Sequence, residues 1–276
     1  MSTTLYDQMV RLGLAPYKAV DLVADGGIHR YRVTGDKAGS LNGWYVLREH
    51  GGHQFATFGS WKTGEQHQWQ DQQLSAMSRR ERAELQRARD EARRLAQAEQ
   101  AKVMEEARHK AERLWRRARP APDGHPYLTR KRVHGYGVRQ LGEMLLIPAR
   151  DSAGVLHTLQ FIGPDGSKRF LTGGRIRGCY CAIGRPGDVL LLCEGFATAA
   201  TLREATGHAT AACFSAGNLF AVARALRAKF PKIRIALCAD DDRNTPGNPG
   251  LSAAQAAARA VGGVVAVPVF EGGTHG

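Results

Sequence analysis

In the last third of the chain apolar residues fall in runs of strand length, and two of these runs stop at acid. VLLLC (189–193) ends at Glu194, and IRIALC (233–238) ends one residue before Asp240-Asp241-Asp242. Runs of this size read as strands buried on both faces, as in a parallel sheet. Between them, Gly195 permits a tight turn into FATAATLREAT, a helix. ATAACFSAGNLFAVARALRAKF follows as a short strand, a turn at Ser215-Ala216-Gly217-Asn218 and a second helix, and VVAVPVF is a further strand. Upstream, MLLIPARDSAGVLHTLQFIGPDGSKRFLTGG reads as three strands joined by turns at Asp151–Gly154 and Pro164-Asp165-Gly166, a β-meander.

The pattern changes toward the amino terminus. Residues 74–118 contain neither Gly nor Pro, and Leu85, Ala88, Ala92 and Leu95 recur at helical spacing. A long helix, or two, with a thin apolar stripe follows. Such a charged helix is most often a solvated spacer laced with i,i+4 pairs, and a face that tracks nucleic acid is the alternative. Residues 1–70 open with a helix, LYDQMVRLGL, and a second apolar stretch around Ala19–Val23. HRYRVT, GWYVLRE and QFATFGSW then read as short strands. The expected organisation is a small α+β domain over 1–70, a helical linker over 74–118, a basic β-rich subdomain over 120–185 and an α/β domain over 186–276.

Composition narrows the class. The 276 residues are 43% hydrophobic, enough for a real core, and the formal net charge is +13. A chain this basic meets a polyanion, with nucleic acid the first expectation. No run of about 20 apolar residues exists and no signal peptide opens the chain, so a cytoplasmic protein is expected, away from membranes. Five cysteines, an odd number in strand-like sequence, read as small core residues. Cys179-x-Cys181 lacks a second pair, and no zinc is expected.

The acids hold the candidate chemistry. Strand alternation turns Asp240 and Asp242 the same way and Asp241 elsewhere. Carboxylates delivered with Glu194 to one sheet edge repel one another unless a cation holds them, and oxygen-only ligands suit Mg²⁺ or Mn²⁺. The bland alternative makes the acids a solvated loop and Glu194 a charge favoured by a helix N-terminus. Their order, 46 residues apart and each behind a buried-looking strand, favours the metal site. In residues 1–70, Arg30, Arg32, Trp44, Arg48, Trp61 and Lys62 mix cations with aromatics as a single-strand-binding surface does. Aromatics inside with cations on the wet face accounts for them equally well.

The order β–Glu–α–β–turn–α–β–Asp-x-Asp resembles the TOPRIM fold of DnaG-type primases, topoisomerases and some nucleases, with EGFATA as its Glu-Gly turn and ADDD as its Asp-x-Asp. The meander resembles the basic subdomain before TOPRIM in these primases. Residues 1–70 resemble the amino-terminal domain of primases from plasmids, phages and other mobile elements, where cellular relatives bear a zinc ribbon whose ligands are missing here. The resemblance implies a DNA primase that makes short RNA primers on single-stranded DNA from ribonucleoside triphosphates by two-metal-ion nucleotidyl transfer. Glu194, Asp240 and Asp242 would be both its catalytic and its metal-binding residues. Lys168 stands where the family places a lysine facing template and nucleotide, and Arg169, Arg175, Arg243, Arg130 and Lys131 form its basic neighbourhood. The family's arginine at the start of the first meander strand is not visible in GEMLLIP, and its later acidic pair is reduced to Glu271. A fragment of a longer chain, or a weaker second metal, is expected from that. No GxxxxGK[ST] string occurs, so a replicative helicase would be a partner, fused in a longer chain or separate. A TOPRIM nuclease using the same acids and a non-catalytic single-stranded-DNA-binding or loading module are the rival readings.

Overall fold

The computed structural model describes residues 4–50, 52–71, 78–239 and 248–268. The chain divides into two compact units, 1–103 and 104–276. The boundary falls inside one helix that supplies buried residues to each.

In the first unit, Thr4 caps α1 (Leu5–Arg11) through a reciprocal pair with Asp7, an arrangement worth ~1 kcal/mol. The strands β1 (His29–Tyr31), β2 (Gly43–His50), β3 (His53–Ser60) and β4 (Gln66–Gln70) form an antiparallel sheet in sequence order. The expected helix and three strands are present. β4 is an addition, and the apolar stretch Ala19–Val23 forms no element. One sheet face, with Tyr31, Tyr45, Leu47, Ala56 and Phe58, buries Leu5 and Met9 of α1.

Alternation sends Arg30, Trp44, Val46, Arg48 and Phe55 to the other face. The first half of α2 (Arg79–Arg117) lies over that face. Arg48 Nη1 meets Glu91 Oε2 at 2.8 Å, Arg89 Nη2 donates to Gln70 Oε1 at 2.8 Å, and Arg30 stands 3.7 Å from Glu99. Leu85, Ala92 and Ala96 are buried beneath. The expected i,i+4 pairs occur, Arg80–Glu84 and Arg108–Glu112 among them. Yet this is no solvated rod. Small alanines on one stripe let the helix approach a sheet closely.

In the second unit, β5 (Arg119–Pro120) leads to α3 (Pro126–Lys131), and β6 (Arg139–Leu141), β7 (Met144–Arg150), β8 (Leu156–Ile162) and β9 (Lys168–Phe170) complete an antiparallel sheet ordered β5-β6-β7-β8-β9. Both expected turns form, with Gly154 N–H on Asp151 O and Gly166 N–H on Gly163 O, each at 2.9 Å. One face of this sheet buries Leu146, Leu159, Phe161 and Leu171 with Ala111, Leu114 and Trp115 of α2. The opposite face buries Leu145, Ile147 and Ile162 against Cys181, Ile183, Cys193 and Phe196. Each of those three aliphatic side chains contributes ~2 kcal/mol of burial.

The remaining elements are β10 (Cys181–Ile183), β11 (Val189–Cys193), α4 (Phe196–Thr206), β12 (Ala209–Ala212), α5 (Ala216–Lys229), β13 (Arg234–Cys238), α6 (Pro249–Val261) and β14 (Val264–Ala266). Their sheet is ordered β10-β12-β11-β13-β14 and is parallel except for β10. The predicted α/β fold class therefore holds, with a β-rich subdomain packed against a mostly parallel sheet. No described helix is long and apolar enough to cross a membrane.

Candidate active site

β11 sits at the centre of the parallel sheet and hands the chain to Glu194 at its carboxyl end, the edge where open α/β sheets place ligands. Gly195 caps α4 with extended backbone, so Glu194 stands just ahead of the N-terminal end of that helix. The turn is held from beside it. Cys213 N–H donates to Cys193 O at 2.8 Å and Phe214 N–H to Glu194 O at 2.6 Å. Glu194 is half-buried, with Oε1 inside the protein.

β13 lies parallel to β11 in the register Val189↔Arg234 through Leu192↔Leu237, so both strands end at the same edge. Ala239 N–H donates to Ala266 O at 2.9 Å, and Asp240 is the next residue in the chain. Asp240, Asp241, Asp242, Arg243 and Glu271 lie outside the described residues. Among the described residues no group of three or more His, Cys, Asp and Glu could hold a metal ion. The donor types at the edge still fit a hard cation. Burial pushes the Cys238 thiol at the end of β13 up to about 11. Burial also raises the Cys213 thiol, and the Glu194 carboxylate adds to it. The carboxylates that the sequence delivers to this edge supply the oxygen donors hard cations take.

The predicted cations are distributed unevenly around this edge. Lys168 and Phe170 share the β9 face that points toward the parallel sheet, because Lys168 pairs with Ile162 and Phe170 with Gln160. Phe170 meets Phe214 edge-on, ring centroids 5.3 Å apart. That contact ties Lys168's strand to the turn that holds Glu194. Arg169 projects to the opposite face, its guanidinium 5.1 Å from the Phe161 ring centroid. Arg130 donates to Pro164 O at 2.9 Å across the β8–β9 turn and is exposed, as is Lys131. Arg175 is engaged elsewhere, donating to Asp151 Oδ2 at 3.0 Å beside His157. Burial raises the Asp151 carboxyl, but the His157 and Val155 hydrogen bonds and the charges of His157 and Arg175 outweigh it and leave the pKa low.

In the first unit the six predicted template contacts separate. Trp44 is 3% exposed, on the face that α2 covers, and Arg30 and Arg48 are engaged there with Glu99 and Glu91. A base has no access to that Trp44 ring, so the mixed aromatic and basic pattern here builds the contact with α2. Arg32 stacks over Tyr17 at 4.0 Å, and Lys62 Nζ lies 2.5 Å from Asp36 Oδ1. Trp61 receives Arg30 at 4.6 Å.

One functional neighbour escaped the sequence reading. Asn218, 4% exposed, accepts from Gly178 N–H at 2.8 Å through Oδ1. Its Nδ2 lies 2.9 Å from both Cys179 O and Cys213 O and 3.2 Å from Ile176 O. It fastens the 176–179 loop to the residue before Phe214. The predicted turn at 215–218 is in fact the start of α5, with Ser215 as N-cap. An asparagine on the apolar stripe that continues through Leu219 and Val222 was the available signal.

Residues 189–274 match the family described as Toprim domain. Over 268 residues the chain is 40% identical to a protein named DNA primase TraC of Escherichia coli, covering 92% of this chain and 25% of that protein. A second Escherichia coli protein of the same name is 39% identical over 262 residues, covering 90% and 18%. The chain thus spans about a quarter or less of the length of these curated relatives. Among solved structures, the primase fragment of the bacteriophage T7 primase-helicase protein is 16% identical with a TM-score of 0.41, covering 56% of this chain and 67% of that one.

Proposed function

We propose that this chain is the catalytic part of a DNA primase, synthesising short RNA primers on single-stranded DNA from ribonucleoside triphosphates. The observation that supports this most is Glu194 at the carboxyl edge of the central strand of a Toprim domain, beside the strand that leads into Asp240–Asp242. Similarity to the primase TraC over most of this chain adds to it.

In this reading Glu194, Asp240 and Asp242 hold Mg²⁺ or Mn²⁺. When bound, two such ions would supply Lewis-acid stabilisation of the triphosphate and would lower the pKa of the attacking hydroxyl. The 3′-hydroxyl oxygen bonds to the α-phosphorus of the incoming nucleotide, the bond to pyrophosphate breaks, and the hydroxyl proton leaves to solvent. Lys168, on the face toward the Glu194 turn, neutralises phosphate charge, and Arg130 and Lys131 extend the positive field along the β8–β9 turn. Arg243, next to the acids in sequence, is assigned the same role. Arg32, Trp61 and Lys62 remain the template contacts of the first unit. A replicative helicase is the expected partner, separate or joined in a longer chain.

Incubating the protein with single-stranded circular DNA, labelled ribonucleotides and Mg²⁺ tests this. New short RNA supports the primase reading. Shortened DNA would mean a nuclease, and a mobility shift alone a binding module; either result overturns it.

A further inference from the structure

Beside β9, on the face away from Glu194, is a groove of about 310 Å³. Phe161, Leu171 and Leu114 form its apolar floor, and Lys110 of α2 and Arg169 of β9 flank it. We infer that this groove binds a segment of single-stranded DNA, so that the second half of α2 forms part of the template path. The inference rests on the primase reading and extends it to a residue outside the Toprim domain and the meander.

Three observations support it. The first is charge. No acid lines the groove, and among the described residues neither Lys110 nor Arg169 is paired with one. Arg108, two residues before Lys110, is by contrast committed to Glu105 and Glu112. The second is chemistry. The Arg169 guanidinium, backed by the Phe161 ring, offers a base a stacking plane above an apolar floor, and Lys110 across the groove offers a flanking phosphate its counter-charge, a pattern suited to sequence-tolerant single-strand binding. A protein partner would need a far larger surface than this. The third is position. β9 is the edge strand of its sheet, with Lys168 on the face toward the Glu194 turn and Arg169 on the groove face, so strand leaving the catalytic edge passes around β9 into the groove.

The test is binding of a fluorescein-labelled oligothymidine to the whole chain, followed by anisotropy across a salt series. Lys110 is exposed, so Lys110→Glu should fold normally. It should weaken binding about fivefold or more and reduce the salt slope by about one, as expected for a lost phosphate contact. Lys232→Glu makes the same charge change before β13, at the opposite sheet edge, and should bind within about twofold of the parent. Equal binding by Lys110→Glu and the parent overturns the inference, as does an equal loss in the two variants. A rise in the KM for ribonucleotides with unchanged DNA affinity overturns it too. Failure of the parent chain to make primers would instead count against the primase reading, because the groove is read by binding alone.

Discussion

The backbone N–H of Phe214 donates to the carbonyl oxygen of Glu194 at 2.6 Å, and Phe214 does so from a left-handed backbone conformation, φ +73°. For a bulky residue that conformation is costly, and only the surroundings can hold it. Those surroundings are identifiable: the ring packs on Phe170, and the preceding Cys213 carbonyl accepts from Asn218. The strain sits beside the acid on which the proposed chemistry turns.

Substitutions at 214 should separate strain from packing. Phe214→Gly and Phe214→Ala both lose the ring contact, but only glycine relieves the positive φ. Urea unfolding should find the glycine variant about 1 kcal/mol more stable than the alanine variant. Equal stability would mean that the backbone does not hold this conformation in solution.

Asn218→Ala removes the buried amide that Gly178 N–H and three carbonyl oxygens contact. Groups left buried without partners should cost about 2–3 kcal/mol of stability in urea unfolding. Asn218→Asp keeps the acceptor for Gly178 but turns a carboxylate on the carbonyls. It should be the less stable of the two at neutral pH and recover part of the loss in acid, where the carboxyl protonates. An aspartate variant as stable as the parent at neutral pH would contradict this assignment.

Asp36 gives a pH dependence in the first unit. Burial raises its carboxyl, but hydrogen bonds from Lys62 and Asn42 with the charges of Lys62 and Arg32 outweigh it and hold the pKa below its ordinary value of 3.8. A depressed carboxyl stabilises the fold above its unfolded pKa, and that stability is lost as pH falls through the folded value. The parent should therefore lose Tm faster than Asp36→Asn as pH falls from about 5 to about 2. Parallel Tm curves would mean that Asp36 contributes no acid-dependent stability.

Much of the second unit was legible because its signals are local. VLLLC-Glu-Gly and the two Asp/Gly turns of the meander each determine structure over a few residues, and the helix over 196–206 appeared where its composition put it. β4 escaped because QHQWQ is polar: an edge strand needs little burial, and Trp69 provides it. Which of the two open readings applies to Trp44 was hidden for a different reason. Alternation assigns residues to two faces but does not say which face a distant helix will cover. The alanine stripe that brings α2 onto that face reads, in sequence, as a weak one. Asn218 was hidden by its distance from Gly178, 40 positions away along the chain.

The central claim is that Glu194 and the acids after β13 form one metal-dependent nucleotidyl-transfer site. Its most direct test is Mg²⁺-dependent primer synthesis on single-stranded circular DNA by the parent, Glu194→Gln and Asp240→Asn. Losing one carboxylate at such a site should lower synthesis by about 100-fold or more. Single-stranded-DNA affinity and Tm should remain close to the parent values. Near-normal primer synthesis by Glu194→Gln, with the fold intact, would contradict the account.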